Sequence, residues 1–241
     1  MSKKIIFLDV DDTVCPSTQP IGEAMAAQIN RLIASGRVVA FISGSTADHL
    51  WGQLGHALQG EYHILGASGT RYLRVKNGER EELYHYALPH AERERILSLI
   101  RKLAQRHGLK SLTTEDDQIQ DRGSQITFSA IGRGAPEDKK RAFDPERKLR
   151  AAWAGELRAE IGADYHVGIG GTTSIDVTKA GLDKGWGIRE FLNFHSLDAK
   201  DAIFFGDNLK EGGNDYPARA VVECVEVEGL AQTLENLKKL A

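Results

Sequence analysis

Apolar residues fall into two kinds of run along this chain, and their spacing divides it. Ile5-Ile6-Phe7-Leu8 is a continuous apolar run ending at Asp9, and Val38 to Ile42 repeats the arrangement ahead of Ser43-Gly44-Ser45-Thr46. Short runs of this kind read as strands buried on both faces, as in parallel sheets. Tyr62 to Leu65 before Gly66-Ala67-Ser68-Gly69, Ala202 to Phe205 before Gly206-Asp207, and a shorter Ala220 to Glu223 read the same way. Between them apolar residues recur at helical spacing. Met25, Ile29, Leu32 and Ile33 run up to Gly36, and Leu50 and Leu54 up to Gly55. Lys184 opens a helix through Ile188, Phe191 and Leu192, and Leu230, Leu234 and Leu237 form a closing one. Strand alternating with helix predicts α/β architecture with a doubly wound, Rossmann-like parallel core sheet.

The middle of the chain departs from this pattern. Tyr72 to Val75 and Glu82 to Tyr86 flank Asn77-Gly78, the composition of a hairpin. Ile96, Leu99, Ile100 and Leu103 mark an amphipathic helix ending near Gly108, and Leu149, Trp153, Leu157 and Ile161 mark another. Gln125 to Ile131 alternates, with Ile126, Phe128 and Ala130 on one face and Gln125, Thr127 and Ser129 on the other. That alternation predicts a half-buried antiparallel strand, and Thr172 to Val177 alternates too. The expected organisation is a core from residues 1–83 and 183–241, with an inserted α+β cap domain at 84–182.

Composition narrows the class. With 241 residues, 41% hydrophobic and 27% charged, the chain is ordinary for a globular protein with ample core. A formal net charge of −3 argues against a nucleic-acid surface. Cys15 and Cys224 form neither a metal spacing nor a disulfide framework, so a reducing cytoplasm is the default location. Lys3-Lys4 precedes too few apolar residues for a signal peptide or a membrane span.

The candidate chemistry sits where the predicted strands end. In an open parallel sheet, sites lie beyond the carboxyl ends of the strands. Asp9 and Asp11, Ser43, and Asp207 leave three such ends, and Lys184 begins a helix as the chain returns to the core. Two carboxylates as close as Asp9 and Asp11 repel, and one should titrate high unless a cation holds both. A nucleophilic carboxylate beside a general acid at a divalent cation is one use of such a pair. Asp207 adds a third carboxylate, and this oxygen-only set suits Mg²⁺. Asp215, in Gly212-Gly213-Asn214-Asp215, is expected as an outer partner of the metal. Ser43 could donate to a phosphoryl oxygen at a helix start, and Lys184 could balance a transferring phosphoryl group. Taken singly, these residues are also a solvated acidic turn, a helix cap and a surface lysine.

As an ordered set, these motifs resemble the haloacid dehalogenase-type phosphotransferases. Gln125-Ile126-Thr127-Phe128-Ser129-Ala130-Ile131-Gly132-Arg133 and Gly170-Gly171-Thr172-Thr173-Ser174-Ile175-Asp176-Val177 are similar to the cap of eukaryotic-type phosphomannomutases. So are Phe205-Gly206-Asp207 and Gly212-Gly213-Asn214-Asp215 in the core, and the likeness runs in order through nearly the whole chain. The resemblance implies Asp9 as nucleophile forming an aspartyl phosphate and Asp11 as general acid and base. It implies Arg122, Arg133, Ser174 and Asp176 as cap groups that hold a sugar phosphate. Ser174 and Asp176, two apart on a strand, face the same side, while Ile175 and Val177 pack opposite. Arginine suits a phosphate because its fork binds two oxygens. Three positions depart from the family pattern. Asp12 stands where these mutases usually have Gly, Thr18 where the family offers an arginine, and Lys140 where another arginine is expected for the substrate.

The resulting expectation is Mg²⁺-dependent phosphoryl transfer on a hexose phosphate, in the manner of a phosphomannomutase. The alternatives are a phosphosugar phosphatase on the same fold and an idle sugar-phosphate sensor. The expected partner is a small-molecule sugar phosphate, with a homodimer allowed and neither nucleic acid nor membrane. Gly168-x-Gly170-Gly171 precedes no suitable helix and is no dinucleotide fingerprint. The eight histidines are scattered without metal spacing, and Trp51, Trp153 and Trp186 read as packing residues.

Overall fold

The computed structural model describes residues 3–240. The chain forms two compact units, a core that runs up to His85 and resumes at Leu182, and an inserted unit, Tyr86–Gly181. In the core, β1 (Ile5–Leu8), α1 (Glu23–Ala34), β2 (Val38–Ile42), α2 (Ala47–Leu54) and β3 (Glu61–Gly66) alternate as their periodicity predicts. A hairpin follows, β4 (Arg71–Lys76) and β5 (Glu79–His85). Its turn places both Asn77 (φ 52°) and Gly78 (φ 85°) in the left-handed region that two-residue hairpins favour. The inserted unit holds α3 (His90–Arg106), α4 (Glu115–Gln118), β6 (Ile119–Asp121), β7 (Gln125–Ser129), α5 (Glu137–Phe143), α6 (Lys148–Ile161), β8 (Tyr165–Gly170) and β9 (Ser174–Lys179). The core resumes with α7 (Lys184–Phe194), β10 (Ala202–Gly206), β11 (Glu223–Glu226) and α8 (Leu230–Lys238).

The core sheet has seven strands in the order β11-β10-β1-β2-β3-β4-β5. All neighbours from β11 to β3 are parallel, and β4 and β5 close one edge antiparallel. From β1 the chain moves one way to β2 and β3, and later the other way to β10 and β11. The carboxyl end of β1 is therefore the topological switch point, where crevices form in such sheets. The unbroken apolar run of β1 is explained by burial on both faces. Ile6 and Leu8 pack with Met25, Ile29 and Leu32 of α1, Leu50 and Leu54 of α2, and Leu237 of α8. Ile5 and Phe7 face the other way, against Ile188, Phe191 and Leu192 of α7. Each such side chain contributes roughly 1.5–3 kcal/mol on full burial, so the strand that carries Asp9 is among the most firmly held.

The first turn of α7 lies directly on backbone. A Cβ on Gly185 would overlap the Pro217 carbonyl, and one on Gly187 would overlap the Ser68 carbonyl and come within 2.9 Å of Gly69 Cα. Glycine at both positions lets the helix start close enough to bury Lys184, which is 1% exposed.

The inserted unit is a four-stranded antiparallel sheet, β6-β7-β9-β8, with helices on one face. Ile126, Phe128, Val167, Ile175 and Val177 pack against Ile96, Ile100 and Leu103 of α3 and Trp153, Leu157 and Ile161 of α6. The other face carries Gln125, Thr127, Ser129, Ser174 and Asp176.

Several expectations need correction. The hairpin strand belongs wholly to the core sheet, because β5 pairs along β4 from Glu79 to His85. The last strand begins at Glu223, and Tyr216–Ala220 forms a tight helical turn that buries Ala218 instead. The strand expected from Thr172 starts at Ser174. Leu149 is exposed, and the inward position next to it belongs to Arg150. β7 is buried at every residue rather than half-buried, because its polar face is spent on internal hydrogen bonds. Among the described residues, no helix is long and apolar enough to cross a membrane.

Candidate functional site

Asp9 follows the last residue of β1, is 4% exposed, and donates its N–H to the Phe205 carbonyl of β10 at 2.9 Å. Its carboxylate meets Lys184 Nζ at 2.5 Å, and the same ammonium reaches Asp215 Oδ1 at 2.6 Å. Asp9, Asp207 and Asp215 each offer an oxygen within 4.8 Å of the others. Asp207 leaves β10, and Asp215 is fully buried and also accepts the Asn208 N–H at 3.1 Å. Gly206 is required beside it, since a Cβ there would overlap Asp215 Oδ2.

Charge in this cluster is unbalanced. Three carboxylates face one ammonium, so their ionised forms leave two negative charges uncompensated. The titration of the groups reports the crowding. Burial pushes the Asp9 carboxyl up, to about 7, against the pull of Lys184 and with the help of Asp215. Burial and Asp215 also raise Asp207. Burial alone would lower Lys184, but Asp9 and Asp215 outweigh it and hold it up at about 12. A divalent cation bound to these oxygens would cancel the excess, and an all-oxygen donor set of this size fits Mg²⁺.

The crowding partner of Asp9 is Asp215 rather than Asp11. Asp11 is two residues away in sequence, but its carboxylate lies outside the cluster. Its Oδ1 accepts the Thr18 N–H at 2.8 Å and Gln53 Nε2 at 3.1 Å. The expectation that the Asp11 side chain joins the metal group is corrected by these bonds. Asp215, expected further out, belongs to the cluster itself. Asp12 and Thr18, the two departures in this loop, both sit in the left-handed region, at φ 59° and 61°. That conformation explains a family preference for Gly at the first. Here the Asp12 carboxylate accepts the Ser17 N–H at 3.2 Å, a local bond that helps Asp tolerate the position.

Ser43 follows the last residue of β2, the strand next to β1 in the sheet. Its hydroxyl accepts the Ser45 N–H at 3.1 Å and is 5% exposed. Thr13, two residues beyond Asp11 and unmarked by the sequence reading, is fully buried, and its hydroxyl donates to Asp9 Oδ2 at 3.3 Å. Gln53 was also missed. It belongs to α2, is 3% exposed, and reaches Asp11 from 42 residues away. No local pattern could have announced that contact.

In the inserted unit, Asp176 Oδ1 accepts Gln125 Nε2 at 2.9 Å and Thr127 Oγ1 at 2.6 Å. Asp176 therefore has partners within its own sheet. Its Oδ2 makes no hydrogen bond among the described residues, and a Cβ on Gly170 would overlap it. Ser174 faces the same side of β9. Arg122 donates to Gln120 Oε1 at 2.7 Å. Burial holds Arg122 below its ordinary value, with Asp176 raising it and Arg133 lowering it further. Arg133 is exposed and makes no side-chain hydrogen bond or ion pair among the described residues. Lys140 stands apart, since its ammonium pairs with Glu137 on its own helix at 2.9 Å. Arg150, also missed, is 2% exposed. Its guanidinium binds Asp144 Oδ2 at 3.0 Å and the carbonyls of Gly170 and Gly171 at 3.0 and 2.7 Å, fixing the turn ahead of Ser174.

Comparison with known proteins places the sequence among a family of relatives. A family model described as eukaryotic phosphomannomutase matches residues 36–239. A phosphomannomutase of Saccharomyces cerevisiae is 26% identical over 219 residues, covering 88% of this chain and 83% of that protein. Phosphomannomutase 2 of Dictyostelium discoideum is 28% identical over 225 residues, covering 88% of this chain and 85% of its own length. Among solved structures, an IMP-bound, N-terminally truncated IMP-nucleotidase of Plasmodium falciparum aligns with a TM-score of 0.74 at 16% identity, over 99% of this chain and 68% of the other. A haloacid dehalogenase-like hydrolase from Bacteroides thetaiotaomicron aligns with a TM-score of 0.68 at 14% identity, over 99% of both chains. At such identities the structures share the fold.

Proposed function

The chain belongs to the eukaryotic phosphomannomutase family, and from that premise we propose that it transfers a phosphoryl group on a hexose phosphate through an aspartyl phosphate at Asp9. The mutase reading interconverts mannose 6-phosphate and mannose 1-phosphate. The observation that carries the proposal is the buried Asp9, joined to Lys184 at 2.5 Å within a carboxylate cluster short of positive charge.

In this reading an Asp9 oxygen attacks phosphorus while the bond from phosphorus to the sugar oxygen breaks. Asp11 supplies the proton that the departing sugar oxygen needs, and takes one back when a hydroxyl attacks in the return step. Lys184 orients Asp9 and offsets its charge. Ser43, whose hydroxyl proton is not used by Ser45, donates to a phosphoryl oxygen. Asp9, Asp207 and Asp215 would hold Mg²⁺, which supplies electrostatic stabilisation of the transferring group. Arg122 and Arg133 bind the phosphate that is not reacting, and Ser174 and Asp176 Oδ2 bind hydroxyls. A mutase requires such a second anion subsite, because the bisphosphate must be kept while it turns round.

A phosphatase is the second reading, favoured by one observation. Thr18 stands in the Asp11 loop where the family offers an arginine, so the core supplies one cation fewer. The deciding assay incubates mannose 1-phosphate with Mg²⁺ and a trace of hexose 1,6-bisphosphate, then measures mannose 6-phosphate and free phosphate together. Mannose 6-phosphate as the main product supports the mutase. Mannose and phosphate alone replace it with the phosphatase, and full turnover in chelator removes the metal from either reading.

A further inference from the structure

Arg133 is carried on a turn between two glycines, Gly132 and Gly134, a sequence with no stiffness of its own. The structure supplies the stiffness from elsewhere. The Asp117 carbonyl accepts the Arg133 N–H at 3.1 Å, and Asp117 Oδ2 accepts the Gly134 N–H at 2.8 Å. The same carboxylate oxygen accepts the Thr113 hydroxyl. Ser111 Oγ lies 3.0 Å from Thr113 Oγ1, and the Leu112 N–H reaches the Ile131 carbonyl at 2.8 Å. Residues 111–117 thus form a cradle for residues 131–134. The fit leaves no slack. A Cβ on Gly132 (φ 92°) would overlap Thr113 Oγ1 and come within 3.0 Å of Asp117 Oδ2, and one on Gly134 would come within 3.2 Å of the same oxygen.

Asp117 is a half-buried carboxylate near an exposed arginine, yet no ion pair joins them. Its Oδ2 is committed to a backbone N–H and a hydroxyl, while the guanidinium keeps its donors for something else. We propose that Asp117 is a positioning residue, which fixes the Gly132-Arg133-Gly134 turn so that Arg133 presents its fork to the non-reacting phosphate of the substrate. This rests on the hexose-phosphate reading above and adds a residue to it that neither the motifs nor the comparisons assign. Fixing the turn spares the substrate the entropy of ordering it on binding.

A nearby carboxylate can also act on an anion simply by its charge, and the two roles have opposite signs. If Asp117 mattered only as a negative charge, its removal would strengthen phosphate binding. If it positions Arg133, its removal weakens binding, because a misplaced donor loses its geometry.

The test compares Asp117→Ala, Asp117→Asn and Arg133→Ala in the full chain, with KM and kcat for mannose 1-phosphate measured in Mg²⁺. Asp117→Ala is expected to raise KM roughly tenfold while kcat changes by less than about twofold. Asp117→Asn keeps an acceptor for the Gly134 N–H and should restore KM to within about threefold of wild type. A KM in either variant below that of wild type, or an unchanged KM in Asp117→Ala when Arg133→Ala has raised it, overturns the positioning role. An unchanged KM in Arg133→Ala overturns the anion subsite itself, and this proposal falls with it. Should Asp117→Ala fail to fold, Thr113→Val removes one bond of the cradle and must raise KM in the same direction.

Discussion

The charged groups of the core cluster pair with one another, whereas Arg122 and Arg133 of the inserted unit form no ion pair with a carboxylate among the described residues. Lys184 is gripped by Asp9 and Asp215 at 2.5 and 2.6 Å, with every partner nearly or fully buried. Arg122 and Arg133 act on each other as like charges, and Arg133 has no carboxylate of its own. Two short bonds to one buried ammonium hold Asp9 and Asp215 in one geometry, as chemistry at a fixed point demands. A guanidinium left without an ion-pair partner invites an anion to complete it. In the proposed reading the contrast divides the labour: the core reacts, and the inserted unit holds.

The sharpest way to break this division is Asp9→Asn. If the core alone reacts, turnover of every phosphate ester should fall on the order of 10⁴-fold or more, whatever the state of the arginines. Initial rates on mannose 1-phosphate and p-nitrophenyl phosphate would show it, and wild-type rates on either would sink the mechanism. Next comes the pairing of Lys184 with its two carboxylates. Lys184→Met strands two buried carboxylates and should cost about 3–5 kcal/mol of stability. Urea unfolding of the purified variant measures this, and an unchanged midpoint would mean the charges are not coupled. Arg133→Ala tests the holding unit. Loss of one charged phosphate contact is worth about 1.5–3 kcal/mol, one to two decades in binding. The kcat/KM for mannose 1-phosphate should drop by that much and that for p-nitrophenyl phosphate far less; equal losses would place Arg133 in the chemistry instead.

A smaller effect separates the core further. The Tyr72 hydroxyl lies 2.7 Å from both His63 Nδ1 and His195 Nε2, and burial pushes His63 down to about 4 from its ordinary 6.5. A histidine lowered in the fold favours the neutral form there. Its contribution is complete above pH 6.5 and is lost as pH falls toward 4. Asp9, raised in the fold, changes stability the opposite way over the same range, so the quantity to follow is the difference between wild type and His63→Phe. That difference should move against wild type by about 1–3 kcal/mol between pH 6.5 and 4. A difference flat in pH would show that His63 is not held neutral.

What could be read in the sequence follows the same division. β1, β2, β3 and β10 were legible because burial on both faces forces unbroken apolar runs, and Asp9, Ser43 and Asp207 were legible because they end those runs. β8 was not, since Gly168 and Gly170 interrupt the alternation of Tyr165, Val167 and Ile169. α5 buries no residue at all, so it has no periodic face to find. β11 was shifted because the apolar residues ahead of it, Ala218 and Val222, pack in and beside a helical turn. Asp11 was placed in the cluster because nearness in sequence was taken for nearness of side chains, when Thr18 and Gln53 hold its carboxylate elsewhere. Gln53, Arg150 and Asp117 act through contacts made only by the fold.

The glycines at the start of α7 bear on how this protein could be made hardier. Replacing a helical glycine by alanine is a standard route to thermostabilisation, because it trims the freedom of the unfolded chain and gains about 0.5–1 kcal/mol. At Gly185 and Gly187 the same exchange would drive a methyl group into the backbone of Pro217 and Ser68 and push Lys184 off its carboxylates. Gly155, exposed in the middle of α6 with nothing within 4 Å of where its methyl would stand, is the place to make it. A library that substitutes all helical glycines alike should therefore return Gly155→Ala among its more heat-resistant survivors, and lose every clone altered at Gly187.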